Sequence, residues 1–288
     1  MNRISRRFGT ALTVVLLAVA LAGCGGGPKR QLRMNLPPGS SFELTTRSDN
    51  LLESEIGGED LSMSIRTEAR LLFRIASVYE NGDVLANVTI RKVEPSFLWA
   101  GLGHVVEGEE FGARISPIGA VVDLVGTGEL RDRLRAKVPG APARDDVDLA
   151  RTPEEHLIMA MSDDSLRAPI ELALRVWPAV PVSRGDTWES EPVYEVETDT
   201  YTTRKFTLKA WEPTLVTVSF ESTSVPAQRR KGISFSGTGK GELRIAPVEG
   251  LVKSLQSSSA MTGTNNVDDP NSIKMSRTGS YHADIVPR

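Results

Sequence analysis

The sequence predicts a mainly β protein with a helical insert (the α+β class), built from long antiparallel curved sheets in two duplicated β halves. Three observations lead to this fold class. Apolar and polar residues alternate along an extended stretch that begins at Leu61, helix signals are confined to the middle of the chain, and alternation resumes after Gly185. Because a long ribbon with one apolar face is marginal in water, that face needs a cover.

The first residues have the pattern of an export signal. Arg3, Arg6 and Arg7 precede an apolar run over residues 8–22, which is shorter than a bilayer-spanning helix. The run leads into Cys24, the only cysteine of the chain, and three glycines follow it. The plainest interpretation of these residues is an ordinary secretory signal with a buried cysteine nearby.

A more specific interpretation comes from the four residues Leu21-Ala22-Gly23-Cys24, which resemble the lipobox of bacterial lipoproteins. The resemblance implies cleavage before Cys24, a diacylglyceryl group on its sulfur, and an acylated amino terminus in many bacteria. Such a protein is held at a membrane of the cell envelope by its acyl chains. Gly25 and Gly26 resemble the residues that follow the cysteine in outer-membrane lipoproteins. We therefore expect the periplasmic face of the outer membrane if the source is Gram-negative.

Composition and net charge indicate a globular protein that does not bind nucleic acid. The chain has 288 residues, of which 40% are hydrophobic and 25% are charged, as is ordinary for a soluble globular protein. Removing three of the 34 basic residues with the signal leaves 31 against 37 acidic residues, a net charge of −6. No basic stripe remains, so no nucleic-acid partner is expected. A single cysteine allows no internal disulfide, so stability depends on an apolar core.

The first β half begins with a strand at Phe42 and Leu44, followed by a turn region over residues 53–60. The long ribbon then runs outward from Leu61 and reverses at Asn81-Gly82, a pair that favours a type I′ turn. Residues 99–112 are predicted to form a loop and a short strand. A turn at residues 115–119 precedes another strand over residues 121–125. The apolar positions of the ribbon are Leu61, Met63, Ile65, Ala69, Leu71, Phe73 and Ile75, returning through Val84, Ala86, Val88 and Ile90, and Leu72 is the exception to the alternation.

Three helices are predicted in the middle of the chain. Thr127 is predicted to cap a helix that carries Leu130, Leu134 and Val138 on one face and ends at Pro139-Gly140. Thr152-Pro153-Glu154-Glu155 combines an N-cap, a proline at N1 and a capping-box glutamate. A third helix is predicted from Ser165 to Trp177, and residues 141–148 between the helices are expected to be exposed.

Two pairs of similar motifs indicate an internal duplication. Gly39-Ser40-Ser41-Phe42-Glu43 matches Gly185-Asp186-Thr187-Trp188-Glu189, and Arg114-Ile115-Ser116-Pro117-Ile118 matches Arg244-Ile245-Ala246-Pro247-Val248. The alternative is that hairpin corners reuse glycine and proline independently. The sequence leaves open whether the two halves form one curved sheet or two domains.

The predicted organisation therefore has five parts. They are a signal peptide (1–23), a lipidated tether (24–38), an N-terminal β half (39–125), a helical segment (126–180) and a C-terminal β half (181–288).

No reactive constellation is found. His104, His156 and His282 have no partner at metal-ligand spacing, so we expect neither a metal site nor a cofactor. Residues 237–241 contain a lysine among glycines, but they lack the serine or threonine of a phosphate loop and fit a strand with glycines at a bend or at a close backbone approach. Trp177, Trp188 and Trp211 either line a groove or belong to the core, which is the commoner place for aromatic residues. The expectation is a protein that is not an enzyme, with Cys24 as the only predicted site residue.

The order of elements, the Gly-Asp-Thr-Trp sequence at residues 185–188 and a corner in each half that runs from proline to glycine (117–119 and 247–250) resemble an uncharacterised family of bacterial lipoproteins over residues 39–288. More loosely, they are similar to half-barrel lipoprotein-carrier proteins, in which a curved sheet wraps an apolar cavity and helices cover its open side. The resemblance implies that residues 127–177 form this cover. We expect a non-catalytic, lipid-anchored envelope protein that binds an apolar ligand, for example a lipid, or another envelope protein on its concave face. The alternative is a scaffold that pairs through its sheet edges.

Overall fold

The computed structural model describes residues 27–56, 59–94, 101–140, 152–196, 198–229, 234–264 and 273–288. Cys24, the predicted signal peptide and residues 141–148 lie outside the described residues. The strands are β1 (Ser41–Ile56), β2 (Glu59–Val78), β3 (Val84–Glu94), β4 (Glu110–Ile115), β5 (Val121–Val125), β6 (Thr187–Glu189), β7 (Val193–Glu195), β8 (Thr200–Trp211), β9 (Val216–Pro226), β10 (Ser234–Ala246), β11 (Leu251–Thr264) and β12 (Lys274–Pro287). The helices are α1 (Gly103–Val106), α2 (Thr127–Lys137), α3 (Pro153–Ala160) and α4 (Asp163–Leu174).

The described strands form one open antiparallel sheet in the order β5-β4-β3-β2-β1-β12-β11-β10-β9-β8-β6, and β7 also pairs with β8. Each half is a meander, and the halves join where β1 pairs with the last strand, β12, from Phe42 opposite Pro287 to Glu55 opposite Lys274. The predicted fold class is therefore confirmed, and the halves form one curved sheet rather than two domains.

The two halves repeat the same backbone connections, as the paired motifs predicted. In the first half, Gly39 N donates to Ile75 O over 2.9 Å, and in the second, Gly185 N donates to Leu208 O over 2.8 Å. Both glycines have positive φ angles, of 81° and 90°. A bulge follows both Ile75 on β2 and Leu208 on β8.

The side chains that follow these glycines repeat as well. Phe42 stacks on Phe73 with ring centroids 4.6 Å apart, and Trp188 stacks on Phe206 at 5.5 Å. The second motif pair also coincides, because the register shifts at Arg114/Ile115 in one half and at Arg244/Ile245 in the other. Independent reuse of corner residues does not explain matching bulges and stacked pairs, so the structure favours duplication.

The ribbon of β2 and β3 is confirmed, but its predicted type I′ turn is wrong. Val78 pairs with Val84, and Tyr79 N donates to Asp83 O over 2.8 Å, so the connection is longer than two residues. Gly82 has a φ of 85°, whereas Asn81 has no positive φ. The Asn81 side chain instead accepts a hydrogen bond from Asp83 N, which stabilises the longer turn.

The predicted turn over residues 53–60 is much shorter in the structure. β1 extends to Ile56 and β2 begins at Glu59, with Glu53 paired to Ser62 and Glu55 paired to Asp60. The ladder continues because its hydrogen bonds join backbone groups, which polar side chains do not interrupt.

The three predicted helices are present as α2, α3 and α4, with shifted ends, whereas α1 lies where a loop was predicted. Gly126, not Thr127, occupies the N-cap of α2, and the Thr127 hydroxyl instead donates to Asp163 Oδ1 over 2.7 Å. The capping box of α3 is confirmed by reciprocal hydrogen bonds between Thr152 and Glu155. α4 begins after Ser162 and ends at Leu174, so the predicted end at Trp177 is three residues late.

One core joins both halves, the helices and the start of the described chain. Fully buried members of it are Phe42, Phe73, Phe206, Leu130, Leu157 and Ile170. Leu32, Met34 and Leu36 are also buried in this core. Residues 32–36 were predicted to belong to the tether, but their alternating apolar side chains make them part of the folded body.

Candidate functional site

The helix α4 crosses the concave face of the sheet. It contacts β5 at one side of the sheet, β7 at the other, and β11 between them. Glu171 Oε1 accepts a hydrogen bond from Val121 N over 2.9 Å, and Arg167 donates to Val121 O. These contacts satisfy backbone groups of the edge strand β5 and close one end of the concave face, called here the covered end.

A buried arginine holds the other side of α4. Arg204 lies on the inner face of β8 and is 3% exposed. Its Nη1 donates to Leu172 O over 2.6 Å and its Nη2 to Glu171 O over 3.2 Å, which satisfies carbonyl groups in the last turn of α4. Its guanidinium carbon lies 5.6 Å and 5.8 Å from the ring centroids of Phe206 and Phe220. Burial lowers the pKa of Arg204 to about 10, so the side chain is still a cation at neutral pH.

Tyr281 on β12 lies near this arginine, and burial raises the pKa of its hydroxyl well above the ordinary value even though the Arg204 charge opposes the change. Among the residues described, neither the Tyr281 hydroxyl nor Arg204 Nε has a hydrogen-bond partner. The charge of Arg204 thus influences the Tyr281 hydroxyl although β9, β10 and β11 lie between their strands.

Within the described residues, the helices do not cover the inner face at the ends of β1, β2 and β12 that lie farthest from α4, and we call this region the open end. Register places Leu52 opposite Met63 and Ser54 opposite both Leu61 and Met275 on this face. Leu61 is 51% exposed, and Leu52, Met63 and Met275 are half-buried. The apolar alternation that predicted a covered ribbon therefore continues past the cover.

A groove of about 910 Å³ lies at the open end. It is lined by residues of β1, β2, β9, β10, β11 and β12, among them Ser54, Leu61, Gly263 and Met275. Glu53, Glu55 and Asp60 also line it, against one cation, Lys274. Leu61, Pro226 and Met275 are the apolar lining residues, and the polar remainder of the lining carries more negative than positive charge.

Glycines on the inner face of β10 allow the bend beside this groove. A Cβ atom at Gly241 would lie 2.5 Å from Cζ of Phe220 and would also overlap the carbonyl oxygen of Gln256. No larger residue fits such an approach. The prediction that residues 237–241 form a strand with glycines at a close backbone approach is confirmed.

The residues singled out in the sequence do not converge on the groove. His104 lies on α1, although a loop was predicted there, His156 lies on α3, and His282 on β12 is 2.8 Å from Asp284. Across the part of the chain that the structure describes, no group of three or more metal-ligating side chains is found.

The tryptophans belong to the core rather than to the groove. Trp177 is buried, Trp188 packs on Phe206, and Trp211 lies against the core beneath Arg30. At the covered end the structure differs from the half-barrel carrier proteins, in which a curved sheet wraps an apolar cavity. Here aromatic and aliphatic side chains fill the interior below the helices.

Sequence reasoning missed Arg204. The alternation of β8 places Thr202, Arg204, Phe206 and Leu208 on the same face, and all four are buried. The available signal was therefore a charged residue among alternate positions that are otherwise apolar or small and face the core. Its partners are carbonyl groups of α4, more than 30 residues away in the chain, and no sequence pattern indicated them.

Fold and groove together define an open antiparallel β protein whose concave face is covered by helices at one end and exposed at the other. The chain belongs to DUF6263, a family of unknown function, whose model matches residues 100–275. No curated protein sequence matches the chain. Within the described residues, none of the helices has the length and apolar character needed to cross a bilayer.

Solved structures resemble the fold only distantly. A structure titled for lipid–protein interactions in lipovitellin has 9% identity and a TM-score of 0.49 and covers 88% of this chain, which spans only 25% of the lipovitellin chain. An exported protein with a YmcC-like fold from Bacteroides fragilis has 12% identity and a TM-score of 0.27, covering 88% of this chain and 97% of its own. An outer membrane channel from Pseudomonas putida has 7% identity and a TM-score of 0.18, and the match covers 88% of this chain and 97% of the channel's chain. These similarities assign no function.

Proposed function

We propose that this protein is a non-catalytic, lipid-anchored protein of the bacterial envelope that binds a hydrocarbon chain of a lipid in the groove at its open end. The observation that carries the proposal is the exposure of Leu61, which lies on the inner face of the sheet in line with buried core residues of β2. Apolar side chains that continue past the core on a concave face favour an apolar occupant.

The shape and lining of the groove support a flexible chain as the ligand. Its volume of about 910 Å³ lies within the range of small-molecule sites. Met275 lines it, and Met63 shares the inner face beside Leu61. Methionine side chains are unbranched and polarizable, so they adapt to ligands of irregular shape.

The scaffold alternative has less support, because the edge strands are short and α4 binds the start of β5. Backbone groups of Val121 on β5 bond to side chains of α4. At the other edge, β6 (Thr187–Glu189) and β7 (Val193–Glu195) have only three residues each. Short or covered edge strands are typical of sheets that avoid pairing with another chain.

Photocrosslinking tests the proposed ligand. Full-length protein is incubated with a water-dispersed, short-chain phospholipid that carries a diazirine in one acyl chain, so that the ligand can reach the groove from solution, and crosslinked peptides are then mapped. Leu61→Lys should weaken capture at the groove by about tenfold or more, because Leu61 lines it and burying a leucine is worth roughly 1.5–3 kcal/mol. Ser64→Lys, on the outer face of the same strand, is the matched control and should keep the signal. Equal capture by wild type and Leu61→Lys, or crosslinks confined to other surfaces, would contradict the proposal.

A further inference from the structure

The described chain begins at the covered end of the molecule. Arg30 and Val182 exchange two backbone hydrogen bonds of 2.9 Å, and the Arg30 guanidinium carbon lies 5.4 Å from the ring centroid of Trp211. Asn35 N donates to Gly250 O over 3.3 Å. Trp211 ends β8, and Gly250 lies in the turn between β10 and β11, so both belong to the hairpin ends beneath the covered core.

The groove lies at the opposite ends of the same strands. β11 runs from Leu251, beside Gly250, to Thr264, which lines the groove. Its 14 residues at about 3.3 Å each separate the two ends by roughly 45 Å. The N-terminal segment and the groove are therefore at opposite poles of the body.

The chain between Cys24 and Arg30 is too short to compensate for this separation. Six residues extend at most about 20 Å, at 3.3–3.6 Å each. Turning the mouth of the groove towards the membrane that holds Cys24 would place Arg30 roughly 45 Å from that membrane, more than twice this reach. We infer that the groove faces away from the anchoring membrane, so its lipid chain is presented from the aqueous compartment and not from the anchoring leaflet.

The charges at the two poles support this orientation. Lys29, Arg30 and Arg33 lie close to the proposed anchor, where basic residues are attracted to anionic lipid headgroups by about 1 kcal/mol each. Glu53, Glu55 and Asp60 line the mouth of the groove, where carboxylates are repelled by the same surface. Electrostatics and tether length thus favour the same pole at the membrane.

The inference rests on the proposed lipidation of Cys24 and not on the identity of the ligand, so it has its own test. Because Cys24 is the only cysteine and its sulfur would be acylated, an introduced cysteine is a unique labelling site in the full-length lipoprotein. Val248→Cys labels the covered pole, where Val248 is 74% exposed. Leu61→Cys labels the open pole, and Ser64→Cys is a second label at that pole on the outer face.

Each labelled protein is added to preformed vesicles of phosphatidylethanolamine and phosphatidylglycerol that carry a lipid-linked energy-transfer acceptor. The expected result is strong energy transfer from Val248→Cys and several-fold weaker transfer from both Leu61→Cys and Ser64→Cys. Equal transfer from the two poles, or stronger transfer from the open pole, would overturn the orientation and leave the crosslinking test of the groove unaffected. Failure of the full-length protein to float with the vesicles would overturn the anchor and the orientation together.

Discussion

Substituting Gly241 by alanine tests whether the bend of the sheet depends on glycine. Gly241 pairs with Ser257 on β11 and with Phe220 on β9. A Cβ atom there would lie 2.5 Å from the ring of Phe220, about 1 Å inside the ~3.5 Å contact distance of carbon atoms, and would overlap the backbone of Gln256. The Phe220 ring has little room to move because it packs against Phe206, 5.7 Å away.

The expected loss of stability follows from these contacts. Overpacking of a filled site costs about 1–3 kcal/mol. Displacing the backbone of β11 also weakens ladder hydrogen bonds worth about 0.5–1.5 kcal/mol each. Alanine also reduces the conformational entropy of the unfolded chain, which at an unstrained position would stabilise the fold by about 0.4–1 kcal/mol. Because the clash outweighs this gain, Gly241→Ala should lower the free energy of unfolding by roughly 2–4 kcal/mol.

Urea unfolding followed by tryptophan fluorescence measures the change. Gly128→Ala is the matched control, because no atom lies within 4 Å of a Cβ at Gly128 and the residue is in the helix α2. The control should raise the free energy of unfolding by about 0.5–1 kcal/mol. If Gly241→Ala were as stable as the wild type, the close approach of β9, β10 and β11 would not be what holds the bend.

Three further changes test the electrostatics, capping and core of the fold. Burial acts to raise the pKa of Glu109, but hydrogen bonds from Lys137 (2.6 Å) and Arg133 (2.7 Å) outweigh it and hold the pKa below its ordinary value. The Glu109 carboxylate therefore stabilises the fold at pH values above its pKa in the unfolded chain, about 4.3. This contribution is lost as the pH falls through the lower pKa of the folded state. Glu109→Gln should cost about 1–3 kcal/mol in urea unfolding at pH 7 and progressively less below about pH 4; a pH-independent difference would contradict the ion pairs. Thr152→Ala removes the capping box of α3 and should lower the free energy of unfolding by about 1 kcal/mol. An unchanged free energy of unfolding would show that the capping box does not stabilise the start of α3. Phe73→Ala should lower the free energy of unfolding by about 3–5 kcal/mol, and a cost below 1 kcal/mol would show that its stacked site is not packed.

Local pattern was sufficient for most elements of this fold. Alternation located the long ribbon, Thr152 and Glu155 located the start of α3, and the paired glycine motifs indicated the duplication. The ribbon and the helix start depend on interactions between residues close in the chain, and the duplication is visible by direct comparison of two segments, so the sequence contains all three. Helix and turn ends were less accurate, as at Gly126 and Asn81, because neighbouring residues with similar propensities compete for the same position.

The candidate groove required the tertiary structure. Leu61 and Leu71 have the same pattern in the sequence, yet Leu71 is buried under the helical cover and Leu61 lies beyond its end. How far a cover extends depends on where α4 crosses the sheet, and Arg204, Glu171 and Val121 fix that crossing through contacts between distant segments.

The sequence by itself determined the β ribbons, the central helices, the repeated halves and the lipobox-like residues around Cys24, because each follows from periodicity or from a short motif. Only the tertiary structure decided that β1 and β12 join the halves into one sheet, that residues 32–36 belong to the core, and that the groove and the N-terminal segment lie at opposite poles. Pairing of strands more than 200 residues apart depends on which apolar faces can be buried together, and no local pattern specifies that choice.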